Sequence, residues 1–262
     1  MTSTFESDGF LSDEMEDIRK TIAERFPRTF SKVYEVNAFA HKYWNSIQLE
    51  NSNTLHLVLV CLLERILDSF QSVVHLMSMG LENDSDTITR SSVEAMFYVR
   101  KLTSDDEYLE SYLATDPKQR KKIMTLVKNN PQNILSGIFN KLEVDDILNG
   151  IEQELKQLNI KNKSIETIAR EVGLDDWYQL EYRNLSNETH IAPRTLEKFI
   201  VGDNSDEDVL FNFNPRCDRL PAILITQCSI ILHVLEDVEQ IFQLGFEESI
   251  EQFFADIKSF NE

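Results

Sequence analysis

The residue types best suited to chemistry are an arginine and a histidine in the segment YRNLSNETHIAP, which spans residues 182–193. Arg183 and His190 are seven residues apart, close to two helical turns, so on a helix they project from the same side, about 10 Å apart along the axis. A guanidinium can hold a phosphate, and an imidazole with a pKa near neutrality can move protons at it. The pair therefore supplies the minimum for metal-free RNA cleavage, although the same spacing often arises by chance between structural residues.

A second pair of charged residues, Arg90 and Glu94 in the segment TRSSVEAMFYV, is one helical turn apart. On a helix this pair points away from the apolar stripe of Ile88, Ala95 and Val99. Taken alone, it predicts an exposed ion pair worth a few tenths of a kcal/mol. Because other apolar residues flank it, burial on a second face is the alternative, and a buried pair would point to function.

The other histidines predict no further site. His233 and Glu236 form an i,i+3 pair on one stripe of the last long helix, which is typical of the solvated face of an amphipathic helix. His41, His56 and His75 have no obvious partners in the sequence and are interpreted as structural or surface residues.

No metal or cofactor site is predicted. No set of Cys, His and carboxylate residues has a recognisable ligand spacing, and no Glu stands three residues before any of the five histidines, as di-metal helical bundles require. Glycine-rich phosphate loops, GxSxG and HExxH are absent from the sequence. The three cysteines are an odd number at no ligand spacing, which predicts a reduced, cytoplasmic chain.

The elements that must position these residues are predicted to be helices. Of the 262 residues, 42% are hydrophobic, enough for a sizeable core, whereas seven Gly and six Pro are too few turn-formers for a many-stranded sandwich or barrel. In the segment Leu55–Met79, apolar residues occupy most of the circumference of a helix, so we predict it to be the central buried helix. We expect an all-α, single-domain bundle of about eight to ten helices, with an acidic N-terminal arm and first helix at residues 1–27 and the bundle domain at residues 28–262.

The charge of the chain argues against broad nucleic-acid binding. Asp and Glu number 45 against 26 Lys and Arg, a formal net charge of −19, so the average surface repels phosphate. One basic cluster stands out: Lys118, Arg120, Lys121, Lys122 and Lys128. The segment SIETIAREVGL resembles the start of a helix-turn-helix, but the acidic LDDWYQLEY follows it, so no sequence-specific DNA binding is predicted.

Neither export nor membrane spanning is predicted. The N-terminus MTSTFESDGFLSDEMED is acidic where a signal peptide would be basic. The longest uninterrupted apolar run, Leu57–Leu63, has seven residues, far fewer than a membrane span needs.

Two segments together resemble a mainly bacterial family of uncharacterised proteins, domain of unknown function 5677. Its pattern of R-S-x-x-E followed by Y-x-x-L-S-x-x-x-H is matched by these residues: Arg90, Ser91, Glu94, Tyr182, Leu185, Ser186 and His190. The resemblance covers about Leu55 to Ile200 and implies an all-helical protein.

The second segment is also similar to the R-x(4–6)-H motif of the HEPN (higher eukaryotes and prokaryotes nucleotide-binding) superfamily, whose members are helical, often dimeric, and in many cases metal-independent ribonucleases of toxin–antitoxin and antiphage systems. This resemblance implies that Arg183 and His190 are catalytic and that Asn184 supports them. Six intervening residues is the long limit of the motif, and this acidic chain is longer than a minimal HEPN domain.

Two functions remain open on the sequence. In the first, the protein is a toxin or abortive-infection ribonuclease that acts on RNA as a homodimer, since a single His190 cannot readily be both base and acid. Tyr182, Ser186, Arg90 and Glu94 would then be supporting residues. In the second, the protein is a non-catalytic helical protein that binds a partner protein through the region of Arg90 and Glu94.

Overall fold

The computed structural model describes residues 3–49, 53–130, 141–158, 163–190, 192–201 and 210–260. These residues contain twelve α-helices, more than the eight to ten predicted, and the all-α prediction is confirmed apart from one pair of two-residue strands. The helices are α1 Phe5–Asp8, α2 Met15–Arg25, α3 Pro27–Trp44, α4 Thr54–Ser78, α5 Glu82–Ser104, α6 Tyr108–Leu113, α7 Thr115–Asn129, α8 Lys141–Lys156, α9 Ile165–Glu171, α10 Arg183–Thr189, α11 Leu220–Phe242 and α12 Glu247–Lys258.

Shorter elements connect some of these helices. Residues Gly9–Leu11 and Pro193–Phe199 form 3₁₀ turns, and Trp177–Tyr182 form a π-helix that runs directly into α10. Strands β1 Ile200–Val201 and β2 Leu210–Phe211 pair antiparallel, with Ile200 opposite Phe211.

The chain forms two compact units where the sequence predicted one domain. The first contains residues Met1–Thr103 and Ile165–Glu262, and the second contains Ser104–Ser164. The domain boundary placed at residue 27 stays a prediction. All residues proposed for chemistry belong to the first unit.

The core of the first unit is built on α4 and α11. Asn53 caps α4 by accepting a hydrogen bond from the His56 backbone N–H (3.1 Å), and ten side chains of α4 are buried, as expected for the predicted central helix. Pro221 stands in the first turn of α11, where its missing N–H leaves no bond unmade. Within the described residues, α11 alone has the length and apolar composition that a membrane span needs, but much of it is buried in the core of this unit.

The end of α4 depends on Gly80. This residue has φ +75°, a left-handed conformation that favours glycine, and its carbonyl accepts a hydrogen bond from the Arg216 backbone N–H (2.9 Å). A Cβ atom at this position would lie 2.6 Å from Pro215 Cβ and 2.8 Å from the Arg216 nitrogen. The segment after residue 210 therefore approaches the end of α4 too closely for any side chain at residue 80.

Replacing Gly80 with alanine is expected to lower the free energy of unfolding by about 2 kcal/mol, because the left-handed conformation and the collision with backbone both penalise a Cβ. Denaturant unfolding measures the change. Gly150→Ala in α8 is the matched control: a Cβ there meets nothing within 4 Å, so we expect stabilisation of up to about 1 kcal/mol. Equal effects of the two substitutions would contradict the close approach.

The second unit pairs α7 with α8 around a small apolar core of Val127, Val144 and Leu148. Three members of the predicted basic cluster bind carboxylates of α8: Arg120 binds Glu154 (3.0 Å), Lys121 binds Glu152 (2.9 Å) and Lys128 binds Asp145 (2.8 Å). Much of the charge of this cluster is thus neutralised within the unit.

Candidate functional site

Arg90 links the two segments that the sequence singled out. Its side chain, on α5, donates from Nε to Ser186 Oγ (2.8 Å) and from Nη2 to the Tyr182 hydroxyl (2.6 Å). Both distances are typical of strong hydrogen bonds from a charged donor. The planar fork of the guanidinium therefore holds the last residue of the π-helix and the middle of α10 at the same time.

Glu94 completes this network one turn further along α5. The Tyr182 hydroxyl donates to Glu94 Oε2 (3.0 Å), and Arg90 Nη2 lies 3.8 Å from the same oxygen. Burial and the negative charge of Glu94 raise the pKa of Tyr182 to about 12. The phenol is therefore protonated at neutral pH, as its role as a donor to Glu94 requires.

Aromatic packing fixes the Tyr182 ring. The Arg90 guanidinium carbon lies 4.6 Å from the ring centroid, a cation–π distance. Tyr178 stacks on the same ring at 5.3 Å and Phe97 of α5 packs at 6.1 Å. These contacts and the hydrogen bonds fix the start of α10 against α5. We call the four polar residues the Arg90 network (Arg90, Glu94, Tyr182 and Ser186).

Arg90 and Glu94 are partly buried, between the exposed and the buried arrangement that the sequence left open. Their side chains are 22% and 34% exposed, so the simple exposed ion pair is excluded. Arg90 makes its closest contacts with Tyr182 and Ser186 rather than with Glu94. An arginine with two such hydrogen bonds contributes more to the free energy of folding than an exposed ion pair does.

Arg183 and His190 lie on the exposed side of α10. Arg183 Nη1 donates to Gln179 Oε1 (2.9 Å), and within the described part of the chain this arginine has no carboxylate partner. His190 follows the last residue of α10, and its backbone N–H bonds to the Ser186 carbonyl (3.0 Å), although its own φ of −91° and ψ of 9° are no longer helical. Both side chains are exposed, and Ser186, which Arg90 binds, lies about 60° round the helix from Arg183.

A comparison with known families matches residues 56–208 to the family of unknown function (DUF5677). This match covers more than half of the chain. The chain belongs to the DUF5677 family. Both motif segments lie inside the matched region, in agreement with the coverage predicted from the sequence. No curated protein and no solved structure matches the chain.

Asn184 of this DUF5677 chain is exposed on α10. It lies about 100° round the helix from Arg183 and lines a groove of about 750 Å³. We call this the α10 groove; its polar lining includes Asn184, Asn187, Arg194, Thr195, Lys198 and Arg219. The expected role of Asn184 as a polar supporter of Arg183 and His190 stays a prediction.

A buried carboxylate next to this groove was missed by sequence reasoning. Asp86 on α5 is fully buried, and its Oδ2 accepts a hydrogen bond from Arg219 Nη1 (2.8 Å). Burial raises the pKa of Asp86 to about 6, against the opposing effect of Arg219. Asp86 belongs to a row of buried polar residues on α5: Glu82, Ser85, Asp86, Thr89 and Ser92. In the sequence such a row is typical of a solvent-facing stripe, so no local signal marks it as buried.

The interpretation of His233 and Glu236 as a solvated face is wrong for His233. Its side chain is 24% exposed and packs against Trp177 (5.8 Å) and Phe254 (4.8 Å), because α12 and the π-helix cover this part of α11. Burial lowers the pKa of His233, which favours the neutral ring.

Beside His233, Arg100 of α5 forms ion pairs with two carboxylates of α11. It binds the buried Asp237 at 2.7 Å and Glu236 at 2.9 Å. Burial raises the pKa of Asp237 to about 6. This cluster ties α5 to α11 and is structural in its geometry.

No group of three or more His, Cys, Asp and Glu side chains suited to a metal occurs among the residues that the structure describes. The expectation that no metal or cofactor is bound stays a prediction.

Lowering the pH is expected to stabilise the protein through Asp86 and Asp237. Each has a folded-state pKa of about 6 against an ordinary 3.8, so between these values the folded state binds protons that the unfolded state does not. Their contribution rises as the pH falls through 6, by roughly 1 kcal/mol each at about pH 5. Thermal unfolding at pH 7.5 and pH 5 measures it, and Asp86→Asn should show a smaller gain. An identical gain in Asp86→Asn would contradict the assignment.

Proposed function

We propose that this DUF5677 protein is a metal-independent endoribonuclease, with Arg183 and His190 as its catalytic pair. The observation that carries the proposal is that the Arg90 network fixes α10, while the same short segment exposes an arginine without a carboxylate partner among the described residues and a histidine seven residues further on. A rigid support with an accessible cation and a proton carrier suits catalysis on a phosphodiester.

The chemistry assigns one role to each residue. Neutral His190 accepts the proton of a ribose 2′-hydroxyl as that oxygen attacks the adjacent phosphorus. Arg183 binds the non-bridging oxygens and stabilises the charge that grows on the phosphorane. The P–O5′ bond breaks, the 5′-oxygen takes up a proton, and the products carry a 2′,3′-cyclic phosphate and a 5′-hydroxyl.

The proton for the 5′-oxygen needs a second acid. A two-fold dimer that places a second His190 across the scissile phosphate would supply it, and closed two-fold pairs are the commonest protein assemblies. The homodimer is therefore part of the proposal. The same activity would suit a toxin or an abortive-infection effector, whose acidic surface keeps it from binding bulk RNA.

Incubation of the purified full chain with transfer RNA and total RNA in EDTA tests the proposal. We expect fragments with 2′,3′-cyclic phosphate ends, identified by their resistance to phosphatase until the ring is opened by acid. Fragments with 3′-hydroxyl ends, or cleavage that needs added Mg²⁺, would contradict the proposed chemistry.

A second candidate function is binding of a partner protein. Exposed apolar side chains favour it: Phe211 is 78% exposed and Phe213 is 67% exposed. The region of Arg90 and Glu94, suggested by the sequence for this role, is less suitable because both side chains are engaged within the unit. RNA left intact by the wild-type protein, with and without Mg²⁺, would favour this second function.

A further inference from the structure

The α10 groove carries an inference beyond the catalytic pair. It runs along the side of α10 that holds Asn184 and Asn187, and its other walls come from the 3₁₀ turn Pro193–Phe199 and from Arg219 at the start of α11. Asn187 lies only about 40° round the helix from Arg183. The groove therefore opens directly beside the face that exposes Arg183 and His190.

Among the described residues, the groove contains charges of both signs and one unpaired arginine. Arg194, Lys198 and Arg219 line it together with two carboxylates, Glu188 and Glu197. Lys198 is paired with Glu188 (2.5 Å), whereas Arg194 is exposed and has no carboxylate partner among the described residues. On a chain with a net charge of −19, an unpaired arginine in a groove is a local attraction for an anion.

Two carboxylates of α5, Asp86 and Glu82, hold Arg219 in place. Its Nη1 binds the buried Asp86, and the same nitrogen lies 3.7 Å from Glu82, whose other oxygen accepts the Arg219 backbone N–H (3.3 Å). The side chain is nevertheless 49% exposed, so the rest of the guanidinium remains accessible in the groove. A guanidinium that is oriented before a ligand arrives loses little entropy on binding a phosphate.

The remaining lining suits a nucleobase. The side-chain amides of Asn184 and Asn187 are exposed and make no hydrogen bond to any described residue, so both their donors and acceptors are free. Leu185 and Ala192 supply apolar surface between these amides and the arginines. Free amides can bind base edges, and arginines can bind the phosphate next to that base.

We infer that the α10 groove binds a nucleotide of single-stranded RNA that flanks the scissile phosphate, with Asn184 and Asn187 at the base and Arg194 and Arg219 at its phosphate. The inference rests on the proposed function and names the substrate as single-stranded, because the base edges must be free of pairing to reach the amides.

Binding to a fluorescent ten-nucleotide single-stranded RNA tests the inference apart from catalysis. All measurements use the full chain with His190→Ala, which leaves the groove intact, and fluorescence anisotropy reports the Kd. Adding Arg194→Ala is expected to raise the Kd about tenfold and to reduce the slope of log Kd against log salt by about one. Arg170→Ala is the matched control, since Arg170 is also an exposed helical arginine but is paired with Glu166 and lies outside the groove.

The outcomes separate the inference from the proposed function. Equal Kd values for Arg194→Ala and Arg170→Ala, preference for a blunt RNA duplex, or no RNA binding at low salt would each overturn the groove assignment. Tight binding that depends on Arg194, together with a wild-type protein that cleaves no RNA, would support the groove and overturn the nuclease. Cleavage that depends on His190, with the same KM in Arg194→Ala as in the wild type, would support the nuclease and overturn the groove assignment.

Discussion

Replacing His190 with alanine is expected to lower the rate of RNA cleavage by about a hundred- to ten-thousandfold, the usual contribution of a positioned general acid–base group. Arg183→Ala is expected to lower the cleavage rate by a similar factor, about a hundred- to thousandfold, because it removes the charge that stabilises the phosphorane. Single-turnover rates on one RNA oligonucleotide measure both. Neither side chain is buried, so both variants should fold as the wild type does.

Two controls make this result specific. His75→Ala removes an exposed histidine from α4, and Arg170→Ala removes an exposed arginine from α9. Both helices belong to the unit that contains α10, and both variants should cleave at the wild-type rate. If His190 acts once from each chain of a dimer, an excess of His190→Ala protein should suppress the wild-type rate, since mixed dimers lack one of the two proton carriers. Cleavage that survives His190→Ala would refute the catalytic pair. A wild-type rate that is unaffected by excess variant would refute its dimeric form.

Replacing Arg90 with alanine is expected to lower the free energy of unfolding by about 3 kcal/mol. The change removes two charge-assisted hydrogen bonds, each worth about 1.5–3 kcal/mol when buried, and the 22% exposure of Arg90 places each of them near the low end. It also leaves Tyr182 and Glu94 without their cation. Chemical denaturation measures the loss, and cleavage should fall at least about tenfold, because α10 loses the contact that positions its catalytic face.

Arg90→Lys separates charge from geometry. An ammonium keeps the charge but cannot reach both Tyr182 and Ser186 as the planar fork does, so this variant should recover only part of the stability and little of the activity. Arg170→Ala, which removes only a surface pair at 3.0 Å, is expected to change stability by less than about 0.5 kcal/mol. A loss in Arg90→Ala no greater than that of Arg170→Ala would mean that the Arg90 network is an ordinary surface contact.

The local sequence determined the helices and where several of them begin or end. Continuous apolar residues predicted the central helix that is found at Thr54–Ser78, and Pro27 stands at the first position of α3, shortly after the end of α2. The two motif segments also predicted the family. These features depend on residues close in the chain, because capping, helical periodicity and the conformations open to proline are set within a turn or two.

Contacts between segments distant in the chain settle which faces of the helices meet. Ser186 is 96 residues from Arg90, and nothing in either segment states that the two side chains bond. The same limit explains one error and one omission. The stripe that contains His233 and the polar row that contains Asp86 both have the spacing of exposed faces, yet other elements cover both. Periodicity states which residues share a side of a helix, whereas burial depends on what packs against that side, and here this is settled by contacts between segments distant in the chain.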